Sequence, residues 1–257
     1  MPKSYFAPAG PRVFAHRGLA FATDGSAAAP ENTLAAFADA VAVGVAYVET
    51  DVHASSDGVA VISHDPSLER VAGLSGEVRD HTLAELEALP LGRGQGFSSL
   101  AAALAAFPTT RFNIDLKSAD AVQPSVDAIL AAGAADRVLL ASFSEKRRLA
   151  AIRQLPGVAT SAGAARFAAA LIAGRLGATA VLRWVLRSVD CVQVPMSHFG
   201  IGITTPPMIR RLHEAGVEVH VWTINDAQTM HELLDLGVDG LITDRADLAL
   251  AVLAERQ

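Results

Sequence analysis

The chain has 257 residues and a formal net charge of −6, and 51% of its residues are hydrophobic while 19% are charged. This composition excludes a disordered or fibrous chain, because such chains lack the apolar residues that build a core. Acidic residues outnumber basic ones by 27 to 21. The charge balance therefore gives no reason to expect a nucleic-acid partner, whose phosphates require clustered Lys and Arg.

Three sequence features bear on where the protein resides. The single Cys191 cannot form an internal disulfide, which is consistent with a reducing compartment. Residues Met1–Arg12 contain prolines and a glycine where a signal peptide requires an apolar run. The apolar stretch Phe167–Leu186 is interrupted by Arg175 and Arg183 and falls short of the roughly 20 apolar residues of a membrane span. We therefore expect a soluble cytoplasmic protein without integral membrane association, and the oligomeric state stays open.

Short β-branched runs alternate with Ala- and Leu-rich stretches of helical spacing along most of the chain. Eight runs predict strands, at Val13–Ala15, Tyr47–His53, Phe112–Leu116, Val138–Ser142, Val158–Ser161, Cys191–Val194, Glu218–Trp222 and Gly240–Thr243. Eight strands alternating with helices over about 250 residues are the number and size of a (β/α)₈ TIM barrel. We predict this α/β fold as a single domain over 1–257. A doubly wound open sheet is the alternative, because periodicity does not distinguish the two.

One segment departs from the repeat. Between His64 and Leu100 the chain shows a Gly-rich, charged insertion, at about residues 66–98, with one helix-like piece at Thr82–Leu89. Long loops of barrel proteins collect at the mouth and carry function. The sequence therefore predicts a short insertion after the second strand that crosses the barrel mouth.

Polar residues stand at the carboxyl ends of the predicted strands, where barrel enzymes place their functional groups. Alternate residues of a strand share one face, and two strands present such polar sets: Glu49, Asp51 and His53, and Asn113, Asp115 and Lys117. Converging carboxylates repel one another unless a cation lies between them, and oxygen ligands favour Mg²⁺ or Ca²⁺ over Zn²⁺. We predict one divalent cation, Mg²⁺ or Ca²⁺. The alternative is a structural network in which these acids pair with Arg17 and Lys117.

Two histidines stand at strand ends in polar company. His16 precedes Arg17, and His64 precedes Asp65. Either histidine alone is more typical of a hydrogen-bonded surface residue. As a pair beside a divalent cation and Arg17, they suit proton transfer into and out of a phosphodiester near neutral pH. Asp65 and His53 are candidates for support of this pair or for a further ligand.

These residues resemble the motifs of the glycerophosphodiester phosphodiesterase family. The matching segments follow the family's order and span nearly the whole chain: His16-Arg17-Gly18, Pro30-Glu31-Asn32-Thr33, Glu49-x-Asp51, Asp57-Gly58, His64-Asp65-x-x-Leu68, Asp115-x-Lys117, Val221-Trp222-Thr223-Ile224-Asn225 and Gly240-x-Ile242-Thr243-Asp244.

The resemblance implies a (β/α)₈ barrel with a small insertion after the second strand. It also implies metal-dependent hydrolysis of a small glycerophosphodiester substrate to an alcohol and sn-glycerol 3-phosphate. Carried over residue by residue, His16 and His64 become the acid/base pair. The metal ligands become Glu49, Asp51 and Asp115.

The resemblance further implies that Arg17 and Lys117 stabilise the charge of the phosphate, as cations at a phosphoryl centre do. Glu31 orients Arg17 in this interpretation, with a plain helix-capping role as the alternative, and Asn32 or Thr33 caps the following helix. Trp222 lines the pocket near the glycerol or the alcohol, or else packs as an ordinary aromatic residue at the mouth.

Two departures from the family pattern keep other functions open. Asp115 stands where many members have Glu, and the related sphingomyelinase D branch also has Asp there. A phospholipase D-like activity on lysophospholipids or sphingomyelin is therefore one alternative. His53 stands where the family often has a neutral polar residue. A non-catalytic phosphodiester-binding barrel is the other alternative, although a binding module has no use for a proton donor and acceptor.

Overall fold

The computed structural model describes residues 3–21, 28–198 and 200–256. Its main sheet contains eight parallel strands and one short antiparallel strand, and a separate two-stranded hairpin lies outside it. In chain order the strands are β1 (Arg12–His16), β2 (Tyr47–Ala54), β3 (Ala60–Ile62), β4 (Arg111–Leu116), β5 (Val138–Ala141), β6 (Ala159–Thr160), β7 (Cys191–Val194), β8 (Ser197–His198), β9 (Ile201–Gly202), β10 (Glu218–Val221) and β11 (Gly240–Thr243).

The parallel strands close into a barrel. They are ordered β6-β5-β4-β2-β1-β11-β10-β7, so β6 and β7 are the two ends of the sheet. A parallel bridge between Ser161 and Cys191 joins these ends. The Asp190 amide donates to the Thr160 carbonyl, and the Ala162 amide donates to the Cys191 carbonyl. Closure excludes the open sheet and confirms the predicted barrel, whose eight predicted strands all form within one residue of the predicted bounds.

The helices surround the barrel, and local sequence explains where several begin. Thr33 Oγ1 accepts from the Ala36 amide at the start of α1, and Asp226 Oδ1 accepts from the Thr229 amide at the start of α10. Pro206 occupies the first turn of α9, where its missing N–H is not needed. The helices are α1 (Leu34–Ala42), α2 (Glu69–Ala72), α3 (Leu83–Glu87), α4 (Leu100–Ala106), α5 (Val122–Ala131), α6 (Glu145–Ile152), α7 (Ala164–Arg175), α8 (Thr179–Leu186), α9 (Pro206–Glu214), α10 (Ala227–Asp235) and α11 (Ala246–Ala254), with 3₁₀ turns at Ser4–Phe6 and Val78–Asp80.

An aromatic layer fills the barrel interior. Phe14 and Tyr47 pack there at a ring-centroid distance of 5.1 Å, and Tyr5 packs on Tyr47 at 5.4 Å. The guanidinium of Arg12, the first residue of β1, donates to the Phe6 carbonyl, so the N-terminal segment covers the amino-terminal end of the strands. Because alternate strand residues share a face, the polar residues that follow this layer along β1 and β2 point into the opposite, carboxyl-terminal mouth.

The insertion follows β3 and has a small apolar core of its own, formed by Val61, Leu68, Val78, Leu86 and Phe97. Its predicted helix-like piece is α3, which Thr82 begins with a reciprocal capping box. Gln95 Oε1 accepts from the Ala35 amide of α1. Through this contact the end of the insertion reaches the first helix beside the mouth.

The apolar stretch Phe167–Leu186 forms two short helices, α7 and α8, which a left-handed Gly177 separates. Across the described ranges, no helix combines the length and apolar character that crossing a bilayer requires.

Candidate active site

His16 lies at the carboxyl end of β1 and is held by a residue from the far end of the chain. Its Nδ1 lies 2.7 Å from Asp244 Oδ1, directly after β11. Asn225 holds Asp244 in turn: its Nδ2 donates to Oδ2 at 2.7 Å, and its Oδ1 accepts from the Asp244 amide at 2.9 Å. Burial disfavours the charged imidazole, but Asp244 and Glu49 outweigh it and raise the pKa of His16. The ring is therefore fixed in orientation and biased towards its protonated form.

His64 is also held at Nδ1 by a carboxylate, in this case from the next residue in the chain. Its Nδ1 lies 2.6 Å from Asp65 Oδ1. Arg70 of α2 binds the other oxygen of Asp65 and donates to both oxygens of Glu31, at 2.9 and 2.7 Å. The His64 carbonyl lies 3.2 Å from His53 Nε2. In both histidines a carboxylate accepts from Nδ1, so Nε2 is the nitrogen available to a substrate.

Arg17 is turned into the site by an unusual backbone conformation. Its φ is +57°, and Gly18 follows at φ +85°. A Cβ at Gly18 would lie 2.7 Å from the Ala36 backbone, so only glycine permits this approach to α1. The Arg17 guanidinium donates to Glu31 Oε1 at 3.0 Å and lies 3.4 Å from Asp51 Oδ2. Glu31 thus contacts Arg17 from one side and Arg70 from the other.

Three carboxylates, Glu49, Asp51 and Asp115, come from the neighbouring strands β2 and β4. The register of β2 and β4 sets Asp51 opposite Asp115, and Lys117 Nζ lies 2.8 Å from each of them. Glu49 accepts from the Arg17 amide at 3.1 Å. Burial together with the neighbouring Asp51 raises the pKa of Glu49 to about 8. Burial acts the same way on Asp51, but Lys117 and Arg17 outweigh it and lower its pKa.

Asn32 has a different role from the capping role that the sequence assigned to Asn32 or Thr33. Thr33 caps α1, whereas Asn32 Nδ2 donates to Asp51 Oδ2 at 3.0 Å. Thr50 Oγ1 donates to Asn32 Oδ1 at 2.8 Å. Asn32 adopts a φ of +58° to make these contacts. It therefore orients a carboxylate of the site, and the helix takes its cap from the next residue.

The carboxylates fit a hard divalent cation by their chemistry. Their side chains offer only oxygen atoms, and Asp115 Oδ1 is buried without a hydrogen-bond partner among the described residues. Burial and the neighbouring Asp51 raise the pKa of Glu49, and a cation beside these groups would favour its charged form. In the part of the chain that the structure describes, no three His, Cys, Asp or Glu side chains are grouped as a metal-ligand set, and Lys117 lies between Asp51 and Asp115.

Trp222 follows β10 and packs partly against the aromatic layer of the barrel. Its ring meets Phe143, which follows β5, edge to face at a centroid distance of 6.3 Å. Phe143 itself is 61% exposed. These two aromatic residues lie at the carboxyl ends of their strands, and a substrate contact by Trp222 stays a prediction.

A cavity of about 610 Å³ opens beside His16. Its polar side includes His16, Arg17, Glu31 and Asp244, and its apolar side includes Phe21, Pro30 and Leu91. Leu91 comes from the insertion, which therefore forms part of the mouth as predicted. The cavity is large enough for a small organic phosphodiester.

Sequence reasoning overlooked the roles of three residues that hold the histidines or their neighbours. Asn225 and Asp244 lie in the quoted family motifs at strand ends, so their position could have predicted a role in the site. Arg70 had no such signal, because its partner Glu31 lies 39 residues away.

Comparisons with known proteins identify the family of this chain. Residues 16–248 match the Glycerophosphoryl diester phosphodiesterase family. The chain is 44% identical over 245 residues to the probable glycerophosphodiester phosphodiesterase 2 of Mycobacterium tuberculosis. The aligned region covers 95% of this chain and 91% of that protein.

Two solved structures share the barrel fold. A phosphodiesterase of Oleispira antarctica, solved with the product sn-glycerol-3-phosphate, has a TM-score of 0.78, 24% identity and coverage of 95% of this chain and 97% of that one. A glycerophosphodiester phosphodiesterase of Agrobacterium tumefaciens has a TM-score of 0.76, 24% identity and coverage of 95% and 99%. The family match and the 44% identical relative confirm the enzyme class that the resemblance implied. This chain belongs to the glycerophosphoryl diester phosphodiesterase family.

Proposed function

We propose that this protein hydrolyses glycerophosphodiesters to an alcohol and sn-glycerol 3-phosphate, with His16 and His64 as the proton-transfer groups. One observation carries the proposal. Each histidine is held at Nδ1 by its own carboxylate, at 2.7 Å from Asp244 and 2.6 Å from Asp65. Two imidazoles oriented in this way are suited to moving protons at Nε2.

The three carboxylates Glu49, Asp51 and Asp115 are the residues that would hold a divalent cation, Mg²⁺ or Ca²⁺. Such a cation supplies Lewis-acid stabilisation of charge on the phosphoryl oxygens. Arg17 and Lys117 add fixed positive charge in the same region. Arg17 is preorganised for phosphate by Glu31, whose contact at 3.0 Å holds the guanidinium in place.

The reaction has two steps in this proposal. The glycerol 2-hydroxyl attacks phosphorus while His64 Nε2 accepts its proton, and the bond to the alcohol oxygen breaks as His16 Nε2 donates a proton to it. A cyclic phosphate results. Water then opens the ring: His16 accepts a proton from water, and His64 returns a proton to the glycerol 2-oxygen. Both histidines thereby regain their starting protonation states.

A substrate panel tests the activity. The purified protein is incubated with glycerophosphocholine, glycerophosphoethanolamine, lysophosphatidylcholine and sphingomyelin. Released glycerol 3-phosphate is measured with a coupled dehydrogenase, and choline released from the two lipids is measured with a coupled oxidase. Release from the glycerophosphodiesters is the expected result. Cleavage of only lysophosphatidylcholine or sphingomyelin would favour the phospholipase D-like alternative, and binding without turnover would favour the non-catalytic one.

The direction of proton transfer is tested with two leaving groups. A general acid typically raises the reaction rate by about 10²–10⁴-fold, but only where the leaving group needs a proton to depart. A nitrophenolate leaves readily without one, whereas a choline alkoxide does not. His16→Ala should therefore lose much less kcat/KM on a nitrophenyl glycerophosphodiester than on glycerophosphocholine, while His64→Ala should lose activity on both.

The matched control is His231→Ala, since His231 is a partly exposed histidine on α10 that pairs with Glu255 and takes no part in the site. Its kcat/KM should equal that of the wild type on both substrates. Equal losses for His16→Ala on the two substrates would exclude the acid role of His16. Leaving-group rescue in His64→Ala instead would reverse the assignment.

A further inference from the structure

The outer surface of α7 is unusually apolar for a helix that faces solvent. Such helices normally present charged and polar residues on their outer face. The exposed positions of α7 are Ala164, Ala165, Ala168, Ala169, Ile172 and Arg175. A single one of these six is charged. The helix therefore has an apolar face that the barrel does not cover.

Exposed hydrophobic residues continue over the connection to α8 and along that helix. Ile172, Leu176, Val181 and Trp184 are 61%, 78%, 51% and 64% exposed. These four residues make up a third of the twelve large hydrophobic residues exposed in the described part of the chain, and they lie within thirteen consecutive positions. We call the surface formed by these four residues and by the exposed Arg175, Arg183 and Arg187 of the same segment the α7–α8 patch. Apolar patches of this kind mark interaction sites.

The patch is basic, although the protein as a whole is acidic. Residues 162–189 contain four arginines and no Asp or Glu, in a chain of net charge −6. Arg166 pairs with Glu145. The other three donate to backbone carbonyls: Arg175 to Gly202, Arg183 to Glu214 and Arg187 to Trp184.

None of those three arginines forms an ion pair with a carboxylate in the ranges that the structure describes. Their positive charge is therefore not neutralised locally. The Arg187 guanidinium lies over the Trp184 ring at 4.5 Å from its centroid. This pair combines an apolar ring with a cation over its face, and such amphipathic side chains suit the boundary between acyl chains and headgroups.

We propose that the α7–α8 patch docks this protein on the surface of an anionic phospholipid membrane. Exposed Trp and Leu beside several arginines are the features of an amphipathic segment that lies in the membrane interface. The unneutralised arginines match the negative potential of anionic lipids. A second copy of the chain is a poorer occupant, because a two-fold interface through this patch would bring its like-charged arginines together. The inference does not depend on the catalytic roles proposed above.

Vesicle flotation with the full chain tests the proposal. The protein is mixed with vesicles of pure phosphatidylcholine, or of phosphatidylcholine and phosphatidylglycerol at 1:1, in low-salt buffer. We expect flotation with the phosphatidylglycerol vesicles and about tenfold less with pure phosphatidylcholine. Raising the ionic strength to about 0.5 M should weaken binding, because it shortens the screening length to a few ångströms.

Variants separate the patch from other exposed residues. Leu176→Ser and Trp184→Ala remove apolar surface from the patch, and Leu130→Ser is the matched control, since Leu130 is 55% exposed on α5. Arg183→Glu reverses one charge of the patch, and Arg79→Glu is its control, since Arg79 is 68% exposed in the insertion. We expect at least tenfold weaker flotation for the three patch variants and no change for the controls.

Three results would overturn the proposal. The first is absence of wild-type flotation with phosphatidylglycerol vesicles, and the second is equal loss in patch and control variants. The third is a dimer in light scattering that Leu176→Ser dissociates, which would assign the patch to a second copy. Circular dichroism and turnover of glycerophosphocholine confirm that each variant is folded. Turnover by a variant that no longer floats would support the independence of docking from catalysis.

Discussion

Replacing Arg70 with alanine removes a guanidinium that binds Asp65 on one side and both oxygens of Glu31 on the other. Asp65 holds His64, and Glu31 holds Arg17. Arg70 therefore ties the insertion to the two halves of the candidate site. We expect it to act as a positioning residue, so its loss should affect turnover more than stability.

The effect on stability should be small. The Arg70 side chain is 47% exposed, and ion pairs at such sites contribute about 0–1 kcal/mol each. Glu31 keeps Arg17 as a partner, and Asp65 keeps His64. The summed loss is about 1–2 kcal/mol at most. For a domain of this size that corresponds to a fall in Tm of roughly 2–8 °C.

The effect on turnover should be larger, because the misplacement of a reacting group by about 1 Å can cost on the order of 10²-fold in rate. Without Arg70, Asp65 is held by His64 alone and the imidazole can turn with it. We expect a loss of about 10- to 100-fold in kcat on glycerophosphocholine. KM should change less, because Arg17 still contacts Asp51.

Steady-state kinetics and thermal unfolding together measure this prediction. Arg79→Ala is the matched control, since Arg79 lies in the same insertion and pairs at 2.7 Å with Glu77 outside the site. Arg70→Lys should recover part of kcat, because it restores the charge without the two-pronged contact to Glu31. In a His64→Ala background, Arg70→Ala should cause a smaller loss than in the wild type, because one of the two groups that it positions is absent.

Two outcomes would refute the reasoning about Arg70. One is a kcat for Arg70→Ala that equals that of Arg79→Ala. The other is an undiminished loss in the His64→Ala background, which would mean that Arg70 acts on the fold as a whole. If His64→Ala alone left kcat unchanged, the proposed catalytic role of His64 would be wrong. This result is distinguishable from the two outcomes for Arg70, because it is measured in a variant that keeps Arg70.

Three further predictions concern other parts of the molecule. Glu145→Gln should destabilise the protein by about 3 kcal/mol in urea unfolding, because it leaves the fully buried Arg148 without its carboxylate. Partial burial raises the pKa of Glu145, but Arg148 and Arg166 outweigh it and hold the pKa below its ordinary 4.5. The wild type should therefore lose this stabilisation as the pH falls below 4.5, whereas the variant has no carboxylate to titrate. Exhaustive chelation should abolish release of glycerol 3-phosphate, and Mg²⁺ or Ca²⁺ should restore it better than Zn²⁺; full activity after chelation would contradict the proposed cation. Gly18→Ala should lower stability by about 1–3 kcal/mol, measured by thermal unfolding, and raise KM, because the new Cβ would meet the Ala36 backbone at 2.7 Å.

The barrel was predictable from sequence because its signals are local. A β-branched run of four to eight residues and the caps of the following helix lie next to one another in the chain, and each unit repeats the same pattern. Strand alternation also placed Glu49 and Asp51 on one face without knowledge of the neighbouring strand. Position at the ends of predicted strands also singled out His16 and His64, and the family resemblance supplied the role of each site residue.

Closure of the sheet and the contacts across the site depended on tertiary structure. Periodicity is the same in an open and a closed sheet, and the bridge from Ser161 to Cys191 decides between them. His16 meets Asp244 from 228 positions away, since β1 and β11 are neighbours in the closed barrel. Asn32 binds Asp51 instead of capping α1, because the turn at its positive φ points the side chain into the mouth.

The insertion and the α7–α8 patch also have features that sequence predicted and features that only the tertiary structure decided. Sequence showed that 66–98 lacks the repeat and that Phe167–Leu186 is too interrupted to span a membrane. It did not show that Arg70 would reach Glu31, or that Leu176 and Trp184 would remain outside the core. Hydrophobicity determines which residues can be buried, whereas the space available between helices and barrel decides which of them are, and that space exists only once the sheet has closed.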